Sequence, residues 1–477
     1  MDKTDKTLSP LFRAISEYSA GRSLPMHMPG HKRVPSLPGG LPYGLDITEI
    51  EGFDDLHRAR GILLRAQARA AKLWRSRRCF FLVGGSTCGI LAAVRAATRP
   101  GDTVLVARNC HRSVYHAMEL CALRPVYLFP DVDPETGIAG SLDPEQVENA
   151  LAEHGDAALV ILTSPTYEGV VSDVAGVAAA AHGAGVPVLV DGAHGAHLGF
   201  SPDFPESAVD CGADVVIMSL HKTLPALTQT ALAHVSGGLI DAARVERELS
   251  VFETSSPSYV LMTSIDLCAG LLEDRGDVLF ADYAKALDGF FRRAEELKVL
   301  NVIGPSAPAF FGFDRGKLVV GTRRAGLSGT ALAKILRDRF DIEVEMACAA
   351  YIVAMTSICD TPETLGRFAD AVVAVDGERT LGAPVPVPPA DVRPEIRMPA
   401  CDAMFLPGED AAFPVAEGRT ATEYLWAYPP GIPLIVPGEA VTGAVLRVIR
   451  GMTEAGVRVV SSSGRGGVIR CAQGQSR

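Results

Sequence analysis

Short apolar, β-branched runs recur along the first half of the chain, at residues 79–83, 103–106, 126–129, 158–162, 186–190 and 215–218. Helical patterns separate several of them, at about 56–74, 90–98, 143–153 and 173–183. Runs this apolar are expected of strands buried on both faces. Strand–helix–strand alternation then builds a mostly parallel sheet covered by helices on each side. Ligands of such α/β sheets bind beyond the carboxyl ends of the strands, so the residues that follow each run are where chemistry is sought.

Four such strand ends carry candidate groups. Gly84-Gly85-Ser86-Thr87 follows the first run and opens a helix. Small residues there let backbone N–H groups approach a phosphate, and the helix dipole favours an anion. The stretch matches neither glycine signature of the dinucleotide and nucleoside triphosphate folds, and a Gly-Ser-Thr turn is also an ordinary helix cap. His111 follows the run at 103–106; it suits packing against a flat aromatic cofactor, or capping the next helix. Asp191 ends the run at 186–190 and is followed by Gly192-Ala193-His194-Gly195-Ala196-His197. A carboxylate there needs a cationic partner, which a protonated pyridine nitrogen supplies; a helix cap or a metal-site aspartate is the alternative. Lys222 stands in Ser219-Leu220-His221-Lys222, just past the run at 215–218. Burial would lower its pKa and make its amine an imine-forming nucleophile. Together these give a phosphate cradle, a stacking ring, a pyridinium partner and an imine lysine, the requirements of pyridoxal 5'-phosphate. A metal site lacks a third ligand at matching spacing and leaves the lysine unexplained.

The remainder of the chain sets limits. Its 477 residues imply two or three domains. A net charge of −11 argues against nucleic-acid and anionic-membrane partners. The ten cysteines form no Cys-x-x-Cys pair, which points to thiols in a reducing compartment. Met1 to Thr7 is charged with no apolar core after it, and the apolar stretch at 174–190 is interrupted by His182, glycines and Pro187. A cytoplasmic protein without a membrane span is therefore expected. The expected divisions are an N-terminal segment at 1–45, a large cofactor domain at 46–297 and an α+β small domain at 298–380. A Pro-rich linker at 381–397 and a C-terminal domain at 398–477 follow.

The sequence resembles the ornithine/lysine/arginine decarboxylases, in their shorter bacterial form. The matching stretches include His27 to Lys32, Asp46-Ile47-Thr48-Glu49, Gly85-Ser86-Thr87, Arg108-Asn109-Cys110-His111 and Thr163-Ser164-Pro165-Thr166-Tyr167. They continue with Asp191 to His197, His221-Lys222-Thr223-Leu224-Pro225, Ser258-Tyr259 and Tyr428-Pro429-Pro430-Gly431-Ile432-Pro433. The resemblance implies an aspartate-aminotransferase-like fold with a seven-stranded, mostly parallel sheet, and a homodimer or higher homo-oligomer. It implies that Lys222 holds pyridoxal phosphate, Asp191 pairs with the ring nitrogen, and His111 and Ala193 flank the ring. Gly85, Ser86, Thr87, Ser219 and His221 would bind the phosphate, and His194 would lie at the cofactor.

The implied reaction is decarboxylation of arginine, lysine or ornithine to the amine, in polyamine biosynthesis. His31, Glu423 and Tyr428 are the substrate candidates, Glu423 for the distal cation. The chain departs from the family at Asp191-Gly192-Ala193-His194, Met346 to Tyr351, Cys401 to Met404 and Trp426-Ala427. Most of these lie in the C-terminal half, where the substrate side chain would be read. They leave open a transaminase or oxidase on the same fold, and a non-catalytic regulatory relative.

Overall fold

The computed structural model describes residues 9–474 except 22, 23, 30, 35–39, 386–391, 429 and 430. Part of the expected linker and the two adjacent prolines of the Tyr-Pro-Pro-Gly stretch thus fall outside the described residues.

The strands in order are β1 (Arg78–Leu82), β2 (Thr103–Ala107), β3 (Arg124–Leu128), β4 (Ala157–Thr163), β5 (Val170–Val171), β6 (Val188–Asp191), β7 (Val215–Ser219) and β8 (Ala231–Val235). Seven of them form one sheet in the order β1-β8-β7-β6-β4-β2-β3. The β2, β3, β4, β6 and β7 ladders are parallel, while β8 runs antiparallel to both β7 and β1. Every residue of β2, β6, β7 and β8 is buried, as expected of strands with helices on both faces. Helix packing is close. A Cβ on Gly89, in the Gly85–Ala97 helix, would lie 2.6 Å from Leu82 Cδ1 and 3.1 Å from Ile217 Cγ2. The register pairs Thr163 with Asp191 and Asp191 with Ile217, so β4, β6 and β7 present their carboxyl ends together.

Two helices begin elsewhere than the pattern suggests. The amphipathic stretch at 56–74 is a helix only over Ile62–Leu73, preceded by a 3₁₀ turn at Leu56–Arg58. Its start is fixed by the Asp54 carboxylate, which accepts the N–H groups of Arg60, Gly61 and Leu63. The helix expected from residue 90 begins at Gly85, so Ser86 and Thr87 occupy its first turn.

A 36-residue helix, Tyr259–Ala294, leads out of the large sheet and packs on the Pro362–Gly377 helix through stacked Phe290 and Phe368. Beyond it lie β9 (Asn301–Ile303), β10 (Gly312–Phe313), β11 (Lys317–Gly321), β12 (Met346–Ala347) and β13 (Tyr351–Met355). Four of them form an antiparallel sheet in the order β12-β13-β11-β9. The strand pattern at 342–346 yields a ladder only from Met346. β10 pairs with β5 instead, tying this region to the segment just after β4. The C-terminal strands are β14 (Gly408–Ala412), β15 (Leu425–Tyr428), β16 (Ile432–Ile435), β17 (Arg458–Ser461) and β18 (Val468–Ala472). They make a β16-β15-β17 sheet and a β14-β18 pair with a separate apolar core. No helix among the described residues is long and apolar enough to cross a membrane.

Candidate active site

The strand ends open into one cavity of about 450 Å³. Lys222, Asp191, His111, Ala193, His194 and Ser86 all line it. Lys222 sits in the one-turn Leu220–Thr223 helix that directly continues β7. Its Nζ lies 3.0 Å from His194 Nε2. Burial pushes its pKa down, opposed by the Asp191 and Glu345 carboxylates, which favours a reactive neutral amine. Burial also holds His194 well below the usual imidazole range, helped by the charge of Lys222, so its ring is a neutral partner of the amine. The Tyr167 ring packs on His194 with centroids 4.5 Å apart, and the Tyr167 hydroxyl donates to Glu345.

Asp191 is 3% exposed. One of its oxygens accepts the Ala193 N–H at 3.2 Å, and no ion pair with it is found among the described residues. Burial raises its carboxyl pKa, with Lys222 pulling it back. His111 caps the Arg112–Leu120 helix: its Nδ1 accepts the Ser113 N–H at 3.3 Å. Burial and the Lys222 charge lower its pKa to about 3, which keeps the ring neutral. Gly431 crosses beside that ring at φ +95°, where a Cβ would lie 3.6 Å from His111 Cδ2. The Gly431 carbonyl accepts the Arg112 N–H, so Gly431 is tied against the site.

Other predicted residues stand apart from the cavity wall. The Gly85 N–H is bonded to the Gln229 carbonyl at 3.0 Å, so what Gly85 supplies is the positive φ of +72° that starts the helix. Thr87 is exposed in the same first turn. Ser219 Oγ is buried without a hydrogen-bond partner, and His221 Nδ1 bonds the Thr230 carbonyl at 2.8 Å. His31 pairs with Asp46 at 3.1 Å and is absent from the cavity wall of its own chain. Tyr428 ends β15 opposite Arg458; its side chain is outside the described part.

Glu423 is a correction. Its carboxylate accepts the backbone N–H groups of Arg470 at 2.6 Å and Ser463 at 3.1 Å. Both oxygens thus stabilise the C-terminal fold, away from the cavity. His194 and His197 do not converge on a metal either, since His197 pairs with Asp314 at 3.2 Å.

The cavity also gathers residues that the strand-end argument passed over. Arg108, buried, donates to the Pro433 carbonyl at 2.8 Å and to Tyr115 Oη at 3.0 Å, and faces Glu439 at 3.3 Å. Tyr167 and Glu168 follow β4 just as Asp191 ends β6, and the same rule applied there would have found them. Cys348, Ala349, Ala350 and Tyr351 form another wall, so this departure from the family faces the cavity. Ala427 also lines it, whereas Cys401 to Met404 do not.

These residues fit pyridoxal phosphate. Asp191 is a buried carboxylate without a cation, Ser86 in the first turn of the Gly85–Ala97 helix lines the same cavity, and so does a lysine whose pKa burial lowers, while Ser219 keeps an unpartnered buried hydroxyl nearby in sequence. Fold and site define an enzyme of the aspartate-aminotransferase type. Residues 9–310 match the major domain of the Orn/Lys/Arg decarboxylase family, and residues 398–458 match its C-terminal domain. The chain belongs to this family of pyridoxal-phosphate-dependent basic amino acid decarboxylases. It is 31% identical to an arginine decarboxylase of Bacillus subtilis, over 94% of this chain and 95% of that one. It is 32% identical to an arginine decarboxylase of Halalkalibacterium halodurans, over 96% of each. Among solved structures, lysine decarboxylase A from Pseudomonas aeruginosa superposes with a TM-score of 0.82 at 20% identity, over 98% of this chain and 81% of that one.

Proposed function

We propose that this decarboxylase acts on arginine, releasing carbon dioxide and agmatine, with Lys222, Asp191 and His111 as its catalytic residues. The observation that carries the reading is Lys222 and Asp191 facing one buried cavity. The choice of arginine is supported by the two full-length relatives that bear that name. Pyridoxal phosphate, when bound, supplies a ring that accepts the electron pair left by the departing carboxylate.

The chain's residues do the rest. The Lys222 amine, its pKa lowered by burial, would hold the cofactor covalently. Asp191 would keep a proton on the ring nitrogen, and its low-dielectric surroundings would strengthen that interaction. His111 and Ala193, which line the cavity, would flank the ring. Ser86, Thr87, Ser219 and His221 would hold the cofactor's phosphate, with Gly85 supplying the turn that starts the Gly85–Ala97 helix. Lys222 or His194, 3.0 Å apart, returns the proton to Cα.

The division into segments at 1–45, 46–297, 298–380, 381–397 and 398–477 belongs to the same reading. So does a homodimer in which the His27 to Lys32 stretch reaches a neighbouring site; Met28 on it and Met26 just before it are exposed, which suits a covered surface. All ten cysteines are unpaired thiols, in keeping with a reducing cytoplasm and a role in supplying polyamines. Incubation of the cofactor-loaded protein with arginine, lysine and ornithine in turn, followed for carbon dioxide, amine and keto acid, tests the proposal. Agmatine with stoichiometric carbon dioxide is expected. Keto acid without carbon dioxide would overturn it.

A further inference from the structure

We propose that Glu168 is the specificity residue that receives the distal cation of the substrate, with Tyr351 fixing its carboxylate. This rests on the decarboxylase reading and takes the place of Glu423, whose oxygens are committed to backbone. Among the described residues that line the cavity, only Asp191 and Glu168 are acidic. Glu168 is 7% exposed, and no ion pair with it is found among the described residues. Its described side-chain hydrogen bond comes from a neutral donor, Tyr351 Oη, at 2.9 Å. Burial raises its carboxyl pKa, against the opposing pull of hydrogen bonds that include those of Tyr351 and Thr166. An ionised carboxylate in that setting is costly unless a cation joins it. A guanidinium or ammonium entering the cavity is such a cation.

The backbone aims the side chain. Glu168 sits in a turn between β4 and β5 closed by the Gly169 N–H on the Thr166 carbonyl at 3.1 Å. Gly169 has φ +102°, and a Cβ there would lie 2.8 Å from Lys317 Cγ, so the turn is locked onto β11. The Gly169 carbonyl in turn accepts the Asp314 N–H at 2.7 Å. Tyr351, which opens β13, arrives from the other side of the cavity. The same cavity is lined by uncharged Phe129, Val132, Ala139 and Cys348 to Ala350. They suit the methylene chain that joins an α-amine near Lys222 to a distal base.

The test is calorimetric titration of cofactor-loaded wild type, E168Q, E168D and Y351F with agmatine, cadaverine and pentylamine, the last having one cation only. Wild type should prefer agmatine and cadaverine to pentylamine. E168Q should weaken agmatine or cadaverine about 30-fold, the loss of one charge-assisted hydrogen bond, and leave pentylamine within about 2-fold of wild type. E168D should retain part of the preference, and Y351F should lose about 5-fold for agmatine or cadaverine. Unchanged affinity for both in E168Q, or a wild type that binds pentylamine as well, overturns the proposal. Should E168Q fail to fold, unchanged agmatine affinity in both E168D and Y351F does the same. Carbon dioxide release is a separate reading: a wild type that binds agmatine through Glu168 but releases none refutes the decarboxylase assignment alone.

Discussion

The buried pair Arg108–Glu439 should behave as a single coupled unit that fastens the C-terminal strands to the large sheet. The two side chains are 10% and 1% exposed, with Arg108 Nη2 3.3 Å from a Glu439 oxygen. The second guanidinium nitrogen, Nη1, donates to the Pro433 carbonyl and Tyr115 Oη, and Glu439 also accepts the Val436 N–H at 2.8 Å. Burial raises the Glu439 carboxyl pKa while Arg108 opposes it. Removing one charge leaves the other buried and uncompensated, at about 3–5 kcal/mol. E439Q should therefore cost about 3–4 kcal/mol. R108M should cost about 5 kcal/mol, because it also loses the Pro433 and Tyr115 hydrogen bonds.

With both charges gone the desolvation problem disappears, so R108M/E439Q should be less damaging than the sum by about 2–4 kcal/mol. Trp426 gives a local probe. It pairs with Pro433 across the β15–β16 ladder, and the chain has only one other tryptophan, Trp74. In a W74F background, urea unfolding followed by Trp426 fluorescence would supply the four free energies of the cycle. Additivity within about 0.5 kcal/mol would refute the coupling and leave two independent surface-like contributions.

Other outcomes follow from single sites. D191N should retain covalently bound cofactor yet lose roughly 10²–10³ in kcat; a loss under about 3-fold in steady-state assays would remove Asp191 from the mechanism. D376A should destabilise by about 3–6 kcal/mol, since buried Asp376 accepts the N–H groups of Lys298, Val299 and Leu300 at 2.9, 2.9 and 2.7 Å. An unchanged thermal midpoint would contradict that count of orphaned donors. Glu253, whose carboxylate accepts the Val83 N–H, has its pKa raised by burial to about 7 from an ordinary 4.5. The folded state then holds the proton more tightly than the unfolded one. Its stabilising contribution is full below about pH 4.5 and is lost as pH rises through about 7. E253Q should flatten that decline in denaturation curves taken between pH 5 and 8, and an unaltered pH profile would rule the group out.

How legible the site was depended on sequence distance. Lys222, Asp191 and His111 each directly follow an apolar run, and a parallel sheet brings such ends together whatever the loops do. That local rule needed no knowledge of pairing partners. The same rule, applied after β4, reaches Glu168; what it does not announce is the partner Tyr351, 183 residues away, or the turn clamped by β11. Glu423 looked suitable beside the Tyr-Pro-Pro-Gly stretch, but its carboxylate lies where the Arg470 and Ser463 amides arrive, a pairing no periodicity announces. The helix start at Ile62 was hidden for a similar reason. The apolar pattern runs back to Leu56, and only the Asp54 side chain, folded over three amides, decides where the ladder begins.

The cavity wall drawn from the C-terminal helix Gly443–Glu454, with Val445, Val448, Met452 and neighbouring Val457, has a consequence for synthesis. Lys222 leaves the ribosome about 235 residues before Val457, an interval of about 10–50 s at ordinary elongation rates. Through that interval the nascent chain can assemble the large sheet and present its buried lysine while this wall is still missing. Cofactor capture can thus precede completion of the cavity in the life of each molecule. A chain released just before Gly443 would keep Lys222, Asp191 and Glu168 but lack this wall of the cavity.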